Sequence, residues 1–427
     1  MLTLTAAHAR RVRAALKPAA AARPRGHPPA VAFAPTGAGT VARLDGGEVY
    51  AALDLPDVPL DGPIAVPWPV LTGPAGAAGF TAARTGAGVE VRWREGNADR
   101  SQVVPAAPAA PPPAVPTAWA DNPGDLVVAL AEAAGQAGEP SARFALHRVQ
   151  LRGGGRGQVV GTDQKALLVW GGFDFPWPGD VLVPAVRLVT DGKPAGVRVG
   201  RTDRHVVLAA GGLTAWLATD PAGRYPDAAG VVPADAAVRA WCRLGAEAIR
   251  GMPAVLAGLP GGAAADAPVT LDLGAAAVLR AAAGGGPPRE AAVADAAVAG
   301  GPARVAFDRG HLRRACRLGL GEVGVTGPGR PVVARDARRT LVWVAHDPAL
   351  AVEPAAVGGV RGAARPPRPR RPPPVPTPVK NGRPIPAGPA TRPRFATDVP
   401  ALVGAWRAGT AWLGRLVRAA RRRAADD

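Results

Sequence analysis

The sequence predicts an α+β fold built from about three copies of one unit, each with short alternating strands and one or two helices. One segment occurs twice, because Trp216 lies in TAWLATDPA and Trp343 lies in TLVWVAHDPA, 127 residues further along the chain. A Val-Pro pair ends at Pro67 and another at Pro184, and a Gly-Val-x-Val strand follows each. Self-similarity of this kind is typical of repeated structural units, and it predicts copies of roughly 115–125 residues.

Tight hairpins are the next predicted elements. VARLDGGEVYAALDLPD at 41–57 resembles VVGTDQKALLVWGGFDF at 159–175, and both read as a strand, an Asp-led turn and a second strand. Asp-Gly and Gly-Gly pairs accept the positive φ angles that such turns need. A weaker third copy of the segment around the Val-Pro pairs, ARVAFDRGHLRRA at 303–315, precedes the strand around Gly324.

The repeats and the composition divide the chain into segments. We expect three similar domains over 1–110, 121–233 and 234–352, with a Pro-rich linker at 111–120. Residues 353–395, rich in Pro, Arg and Gly, are predicted to be disordered. Residues 396–424 predict a basic amphipathic helix. This helix suits a membrane surface, a partner's groove or docking on the chain's own body, and nothing further supports membrane contact.

Composition limits the functional classes. The chain has 427 residues, of which 48% are apolar, so sizeable buried cores are expected. Two cysteines exclude a disulfide framework and a multi-cysteine metal site. The N-terminus lacks the apolar run of a signal peptide, and no apolar run is long enough for a membrane-spanning helix. We therefore expect a cytoplasmic protein.

Motifs for catalysis are not evident. The Gly-rich stretch LRGGGRGQVV at 151–160 lacks the Gly-Lys-Ser/Thr ending of a phosphate loop, so it predicts a hairpin turn. The six histidines are scattered without metal-ligand spacing. We expect no enzyme activity, no cofactor and no metal.

The net charge of +18 is concentrated near the C-terminus. From residue 357 onward the chain has 15 Lys/Arg and 3 Asp/Glu, a net charge of +12. Such a chain suits a polyanionic partner.

Basic residues also recur at helical spacing. They are predicted on one face of a helix over 5–17, of a helix after Pro233 and of a helix near Gly310. The residues are Arg10, Arg13 and Lys17, then Arg239, Arg243 and Arg250, then Arg313 and Arg317. Such faces are either solvated surface or contacts to phosphates that do not depend on base sequence.

Four segments of the middle copy occur in the order found in one known family. They are ARFALHRV (142–149), GTDQKALLVW (161–170), GDVLVPAVRL (179–188) and GRYPDAAGVVP (223–233). These segments resemble the middle domain of the bacterial β sliding clamp, the processivity factor of DNA polymerase III. The resemblance covers roughly residues 1–350, strongly in the middle copy and weakly in the outer two.

The resemblance implies a DNA clamp fold of three similar domains, with antiparallel sheets outside and helices inside. It also implies a head-to-tail homodimer that encircles double-stranded DNA, with DNA polymerase, other clamp-binding-motif proteins and a clamp loader as partners. Arg23, Arg143 and Phe144 would lie near the DNA. A peptide-binding pocket between the second and third domains would use Leu146, Thr162, Leu167, Pro226, Val231, Val342 and Val344.

Some positions depart from the family pattern. Gln164, Lys165 and Ala166 replace the family's Gly-His-Arg, and the helix at 125–134 has acids and no basic residue. These departures indicate a divergent member. A second hypothesis is a clamp-derived paralogue that stays monomeric and binds nucleic acid or anionic membrane through its basic tail.

Overall fold

The computed structural model describes residues 1–22, 29–106, 110–139, 141, 144–190, 192–227, 229–262, 264–283 and 286–354. The predicted disordered segment 353–395, beyond residue 354, and the predicted helix 396–424 lie outside these residues.

The same order of elements occurs three times along the chain: a strand, a helix, four strands, a second helical position and three strands. The first repeat contains β1 (Leu2–Thr5), α1 (Ala6–Ala21), β2 (Ala30–Thr36), β3 (Gly39–Asp45), β4 (Val49–Leu55), β5 (Ile64–Pro67), α2 (Trp68–Thr72), α3 (Pro74–Ala78), β6 (Gly79–Thr85), β7 (Gly88–Glu95) and β8 (Ala98–Val104). The second contains β9 (Trp119–Pro123), α4 (Asp125–Ala134), β10 (Arg148–Arg152), β11 (Gly157–Thr162), β12 (Ala166–Phe173), β13 (Asp180–Pro184), β14 (Gly196–Arg201), β15 (His205–Ala210) and β16 (Leu213–Ala218).

The third repeat follows the same order with one additional strand. It contains β17 (Ala240–Leu244), α5 (Ala246–Gly258), β18 (Pro268–Leu273), β19 (Ala277–Ala281), β20 (Arg289–Ala292), β21 (Ala296–Gly300), β22 (Ala303–Asp308), α6 (Arg309–Arg317), β23 (Glu322–Val325), β24 (Val332–Arg335) and β25 (Arg339–Trp343). Short 3₁₀ turns occupy Ala229–Val231, Asp235–Ala237 and Pro348–Leu350.

The chain forms two compact units. The first comprises Met1–Val232 with Val333–Trp343, and the second comprises Pro233–Val332 with the residues from Val344 onward. The first unit has a four-stranded sheet in the order β1-β6-β7-β8 and an eight-stranded sheet in the order β5-β2-β3-β4-β16-β15-β14-β9. It also contains a run of adjacent paired strands in the order β13-β10-β11-β12-β25-β24. The second has the sheet β20-β19-β18-β22 and the neighbours β23-β17-β21. The division into three domains remains a prediction.

Helix α1 follows directly from its sequence. Thr5 caps it, because its hydroxyl accepts a hydrogen bond from the backbone N–H of His8 at 3.2 Å. Val12 and Leu16, four residues apart, are fully buried, so one stripe of the helix packs on the sheets. The predicted hairpins are also present, since β3 pairs with β4 and β11 pairs with β12, both antiparallel.

A buried arginine organises the second unit. Arg309 is the first residue of α6 and has no exposed surface. Its guanidinium donates to backbone carbonyls of the loop after α5 and the start of β18: Leu256 (2.8 Å), Leu259 (3.4 Å), Pro260, Gly262 (2.9 Å), Ala267 (3.1 Å) and Pro268 (3.3 Å). Burial, together with the charge of Arg313, lowers the pKa of Arg309 from its usual value. The carbonyl oxygens thus solvate the cation in place of water.

Three local predictions were wrong. Residues 240–244 form strand β17 instead of a helix, because Ala240, Cys242 and Leu244 alternate into the core. Segment 142–149 matches a strand of the clamp family, but within its described residues, 144–149, the strand begins only at Arg148. Segment 179–188 matches a strand–helix junction of the clamp family, but no helix follows Pro184 among the described residues: Val186, Val189 and Thr190 are β-branched, and Gly192 and Pro194 interrupt helical structure.

The last two residues of the predicted linker at 111–120 belong to a strand, because β9 begins at Trp119. Trp216 donates from Nε1 to the Ala114 carbonyl at 3.0 Å, and Pro116 is buried. The linker therefore lies against the sheet of the first unit.

Candidate nucleic-acid interface and peptide pocket

Helix α1 presents a cationic surface. Arg10 and Lys17 are exposed and Arg13 is half-buried, while the buried stripe lies on the other side of the helix. The helix has four cations and no acid, so its outer face attracts anions. Long basic side chains of this kind contact phosphates without reading bases.

Helix α6 is the basic helix of the second unit. Leu312, Ala315 and Cys316 are buried, as the helical spacing predicts. Arg317 is exposed and Arg313 is half-buried. Arg314 and Arg317 lie in the last turn, where positive charge is favourable at the negative end of the helix dipole.

The other predicted basic helix is absent. Arg239 precedes strand β17 and Arg243 lies within it, so neither shares a helix with Arg250. Arg243 forms an ion pair with Glu322 at 3.1 Å. Arg250, on α5, is paired with Glu247, which leaves the exposed face of α5 near neutrality.

Sequence reasoning missed one cationic segment, which lies where the second helix of the middle repeat would be. In the other repeats α1 packs on α2 and α3, and α5 packs on α6. A Cβ at Gly135, after α4, would lie 2.9 Å from an Arg187 guanidinium nitrogen, and one at Gly124, before α4, would lie 1.7 Å from the Pro194 carbonyl. The described residues of segment 185–195, which are 185–190 and 192–195, are irregular, run alongside α4 and include the exposed Arg187 and Lys193.

Of the three other residues predicted to lie near DNA, the structure describes one, Phe144. Arg23 and Arg143 lie outside the described residues. Phe144 is half-buried in the loop before β10, where its N–H donates to the Ser141 hydroxyl at 3.0 Å.

Three of the predicted pocket residues form one row across three neighbouring strands. Thr162 on β11 is directly opposite Leu167 on β12, and Leu167 is directly opposite Val342 on β25. Residues directly opposite in adjacent strands share a face of the sheet. All three are buried, with exposures of 4%, 3% and 2%, so they can form the floor of a pocket.

Two loops bring Leu146 and Pro226 towards this row. The Tyr225 hydroxyl donates to the Val160 carbonyl at 3.3 Å, and burial raises the pKa of Tyr225. The Ala145 N–H donates to the Arg224 carbonyl at 2.8 Å, which ties the two loops together. Pro226 is half-buried, whereas Leu146 is buried. Val231 and Val344 are half-buried as well, Val344 in the second unit.

The turn beside the pocket row has an unusual backbone. Gln164 has φ 76°, a left-handed conformation that glycine adopts at no steric cost. The side chain of Asp163 holds the turn by accepting from the N–H groups of Lys165 (2.9 Å) and Ala166 (2.8 Å). Glutamine at the position where the family has glycine therefore costs about 1 kcal/mol of backbone strain and places a longer side chain at the rim.

A separate cavity of about 330 Å³ lies behind Tyr225 in the first unit. Its lining is mainly polar and includes Gln150, Asp180, Arg201 and Asp220. Gln150 donates to Asp180 at 2.9 Å, and Asp220 accepts from the Gly223 N–H at 2.9 Å. These internal bonds make the cavity unlike the apolar floor formed by Leu167 and Val342.

Two further findings concern only the described part of the chain. No group of three or more His, Cys, Asp and Glu side chains there could hold a metal ion. Within the same residues, no helix combines the length and the apolar character that crossing a membrane requires.

Solved structures with the same fold are bacterial clamps. The β subunit of DNA polymerase from Streptococcus pyogenes matches with a TM-score of 0.65 at 11% identity, over 81% of this chain and 99% of that one. The DNA polymerase sliding clamp from Bacillus subtilis matches with a TM-score of 0.65 at 15% identity, over 81% and 98%. That from Pseudomonas aeruginosa, solved with a ligand, matches with a TM-score of 0.63 at 15% identity, over 81% and 100%. No protein-family model and no curated protein sequence matches the chain. The fold class implied by the resemblance is confirmed.

Proposed function

We propose that this chain, which has the sliding-clamp fold, is a clamp-like processivity factor that closes head to tail with a second copy around duplex DNA. No chemical step is part of this function. The ring would hold DNA without sequence specificity and tether a DNA polymerase or repair protein by a short peptide.

The observation that carries this proposal is a strand-pairing rule that repeats within the chain. Strand β4 of the first repeat pairs with β16, the last strand of the second repeat. Strand β12, the counterpart of β4, pairs with β25, the last strand of the third repeat. Among the described residues, the counterparts β20 and β8 each lie at the edge of a sheet. Applied once more, the rule pairs β20 of one copy with β8 of the next and closes a two-chain ring.

Weak electrostatic attraction would let such a ring slide. Cations on α1, on α6 and on segment 185–195 would contact phosphates, which present nearly the same energy at every register. Because closure and not tight binding retains the ring, screening of these phosphate contacts by salt does not by itself release a ring that stays closed.

The row Thr162, Leu167 and Val342, with Pro226 and Leu146 beside it, supports a pocket for apolar anchors of a peptide. The partners would be polymerases and other clamp-binding-motif proteins, and a clamp loader would act on the ring. The long side chain of Gln164 at the rim suits a peptide set that differs from that of clamps with glycine there.

Pro226→Ala should weaken binding of a fluorescent clamp-binding-motif peptide about five- to tenfold, because a half-buried contact at the pocket is removed. Pro221→Ala, an exposed position beside the polar cavity, is the matched control and should leave binding unchanged. Fluorescence anisotropy measures both. Equal affinities of the two variants and the parent would place the peptide elsewhere.

The ring itself is tested by DNA topology. The full chain should remain longer on a nicked circular plasmid than on the same plasmid cut once, when the two are compared by gel filtration at moderate salt. Equal release from both forms would remove the encircling function. If deletion of 357–427, with its net charge of +12, also abolished all DNA binding, the monomeric scaffold hypothesis would replace it.

A further inference from the structure

We propose that the two-chain ring closes weakly and in a salt-dependent way, so that this clamp exchanges subunits between rings and free chains. The inference rests on the proposed function and concerns how the same ring is regulated. Its basis is a difference between the strand junctions inside the chain and the two strands that would close the ring.

The junction between β4 and β16 is apolar on both faces of the sheet. Val49 and Leu53 of β4 and Leu217 of β16 belong to the main core. On the other face, Tyr50 meets Trp216 edge-on with ring centroids 5.3 Å apart. Apolar burial on two faces makes this junction cohesive.

The junction between β12 and β25 is built in a similar way. Leu168 lies opposite Leu341 and Ala166 lies opposite Trp343, and all four side chains are buried. Trp170 continues the row, with the guanidinium of Arg339 5.0 Å from its ring. Both internal junctions therefore hold through large apolar side chains.

Strand β8 has a different composition. Only Val104, its last residue, is buried. Arg100 and Gln102 alternate with Val104 onto the same face, and Asp99 and Ser101 lie on the other face with one apolar residue, Val103, which is 54% exposed. An incoming strand would meet polar side chains on both faces.

Strand β20 also has little apolar surface for pairing with a second copy. It has four residues, Arg289 to Ala292, and its two large side chains are charged. Glu290 is already engaged, because it accepts from Nε of Arg280 at 2.8 Å. Ala291 and Ala292 add little apolar area.

Each strand has one acid and one arginine, Asp99 and Arg100 on β8 and Glu290 and Arg289 on β20. Arg100 is already paired with Glu95 at 3.3 Å and Glu290 with Arg280 at 2.8 Å, so Asp99 and Arg289 are the charges best able to pair across the edge. Ion pairs at an exposed edge are weak and are screened by salt. Stable obligate interfaces have apolar centres. We therefore expect a dimer dissociation constant on the order of micromolar that rises at least about tenfold between low and high salt.

Sedimentation equilibrium of the full chain tests this from roughly 0.1 to 100 µM, at about 50 and 500 mM salt. The expected result is a monomer–dimer equilibrium within this range that high salt shifts to monomer. A dimer that persists at the lowest concentration in high salt overturns the weak closure and leaves the clamp function intact. A monomer at every concentration removes the ring, and with it both proposals.

A designed pair of substitutions on β8 tests whether this strand closes the ring. Arg100→Leu with Gln102→Val should tighten dimerisation about tenfold or more, since it makes the core-side face of β8 resemble that of β4. Arg94→Leu, an exposed arginine on the neighbouring strand β7, is the matched control and should change nothing. Equal tightening by the control would mean that the effect is general hydrophobicity, and no tightening by the designed pair would mean that β8 does not close the ring.

Discussion

Arg309→Met is expected to unfold the second unit under conditions in which the parent is folded. The substitution keeps most of the apolar stem but removes every donor to the carbonyls of Leu256, Gly262 and Ala267 and their neighbours. Leaving such buried acceptors unsatisfied costs about 1–3 kcal/mol each where no other donor reaches them. A total loss of about 3–5 kcal/mol is expected, as for other broken buried charge networks.

Chemical denaturation followed by circular dichroism measures this loss. Arg309→Lys should recover only part of it, because a single ammonium cannot reach acceptors spread around a planar guanidinium. Arg317→Met, an exposed position on the same helix, is the control and should change the free energy of unfolding by less than about 1 kcal/mol. If Arg309→Met were as stable as this control, the carbonyl cage would not organise the unit.

The triple variant Arg10→Gln, Arg13→Gln and Lys17→Gln is expected to bind DNA roughly 10- to 100-fold more weakly at low salt. It should also lower the slope of log affinity against log salt by up to about 0.9 per cation removed. Glutamine sustains a helix about as well as lysine or arginine, so α1 should remain folded. Electrophoretic mobility shift over a salt series gives both quantities.

A variant with the same loss of charge serves as the control. Arg198→Gln, Arg201→Gln and Arg204→Gln removes three exposed cations from β14 and the following turn in the first unit. It should leave affinity and slope close to those of the parent, because the clamp fold places sheets away from DNA. Equal weakening by the two triple variants would mean that net charge, and not α1, determines binding.

The sequence predicted those helices and turns that depend on residues close together in the chain. The helix over 5–17, with Val12 and Leu16 on its apolar side, and the Asp-Gly-Gly turn after Leu44 each depend on signals within a few residues. The same holds for α6, where Leu312 and Cys316 are buried as expected.

Elements fixed by distant partners were not predictable from the sequence. Residues 240–244 fit a helix by composition, but β17 pairs with β21 and β23. Helix α5 starts after Gly245, and the carboxylate that caps it belongs to Asp295, which accepts from the Glu247 N–H at 3.2 Å. Arg309 belongs to a basic run, which suggests an exposed position. It is buried because backbone carbonyls between Leu256 and Pro268 accept hydrogen bonds from its guanidinium.

The residues of the candidate site show the same contrast between local motifs and distant contacts. The motifs around Thr162 and Pro226 predicted pocket residues, of which Thr162, Leu167 and Val342 lie in one row, and the pocket itself stays a prediction. Segment 185–195 was missed, because a helix was expected after Pro184 and only the fold places Arg187 beside α4.

The central claim is that two copies of the chain form a closed ring around DNA, and covalent closure tests it most directly. Ser101→Cys on β8 and Ala292→Cys on β20 place exposed thiols on the two edges, and a bis-maleimide can join them across the partner chains. The native thiols should stay unreactive, because both are buried and burial raises the pKa of Cys242 to about 11 and that of Cys316 to about 12.

Cross-linking after addition to a nicked circular plasmid, followed by a wash at high salt, separates topological from electrostatic retention. The predicted result is that the cross-linked protein remains on circles through the wash and is released by a single double-strand cut. Loss of the cross-linked protein from circles as fast as from linear DNA would contradict the encircling ring.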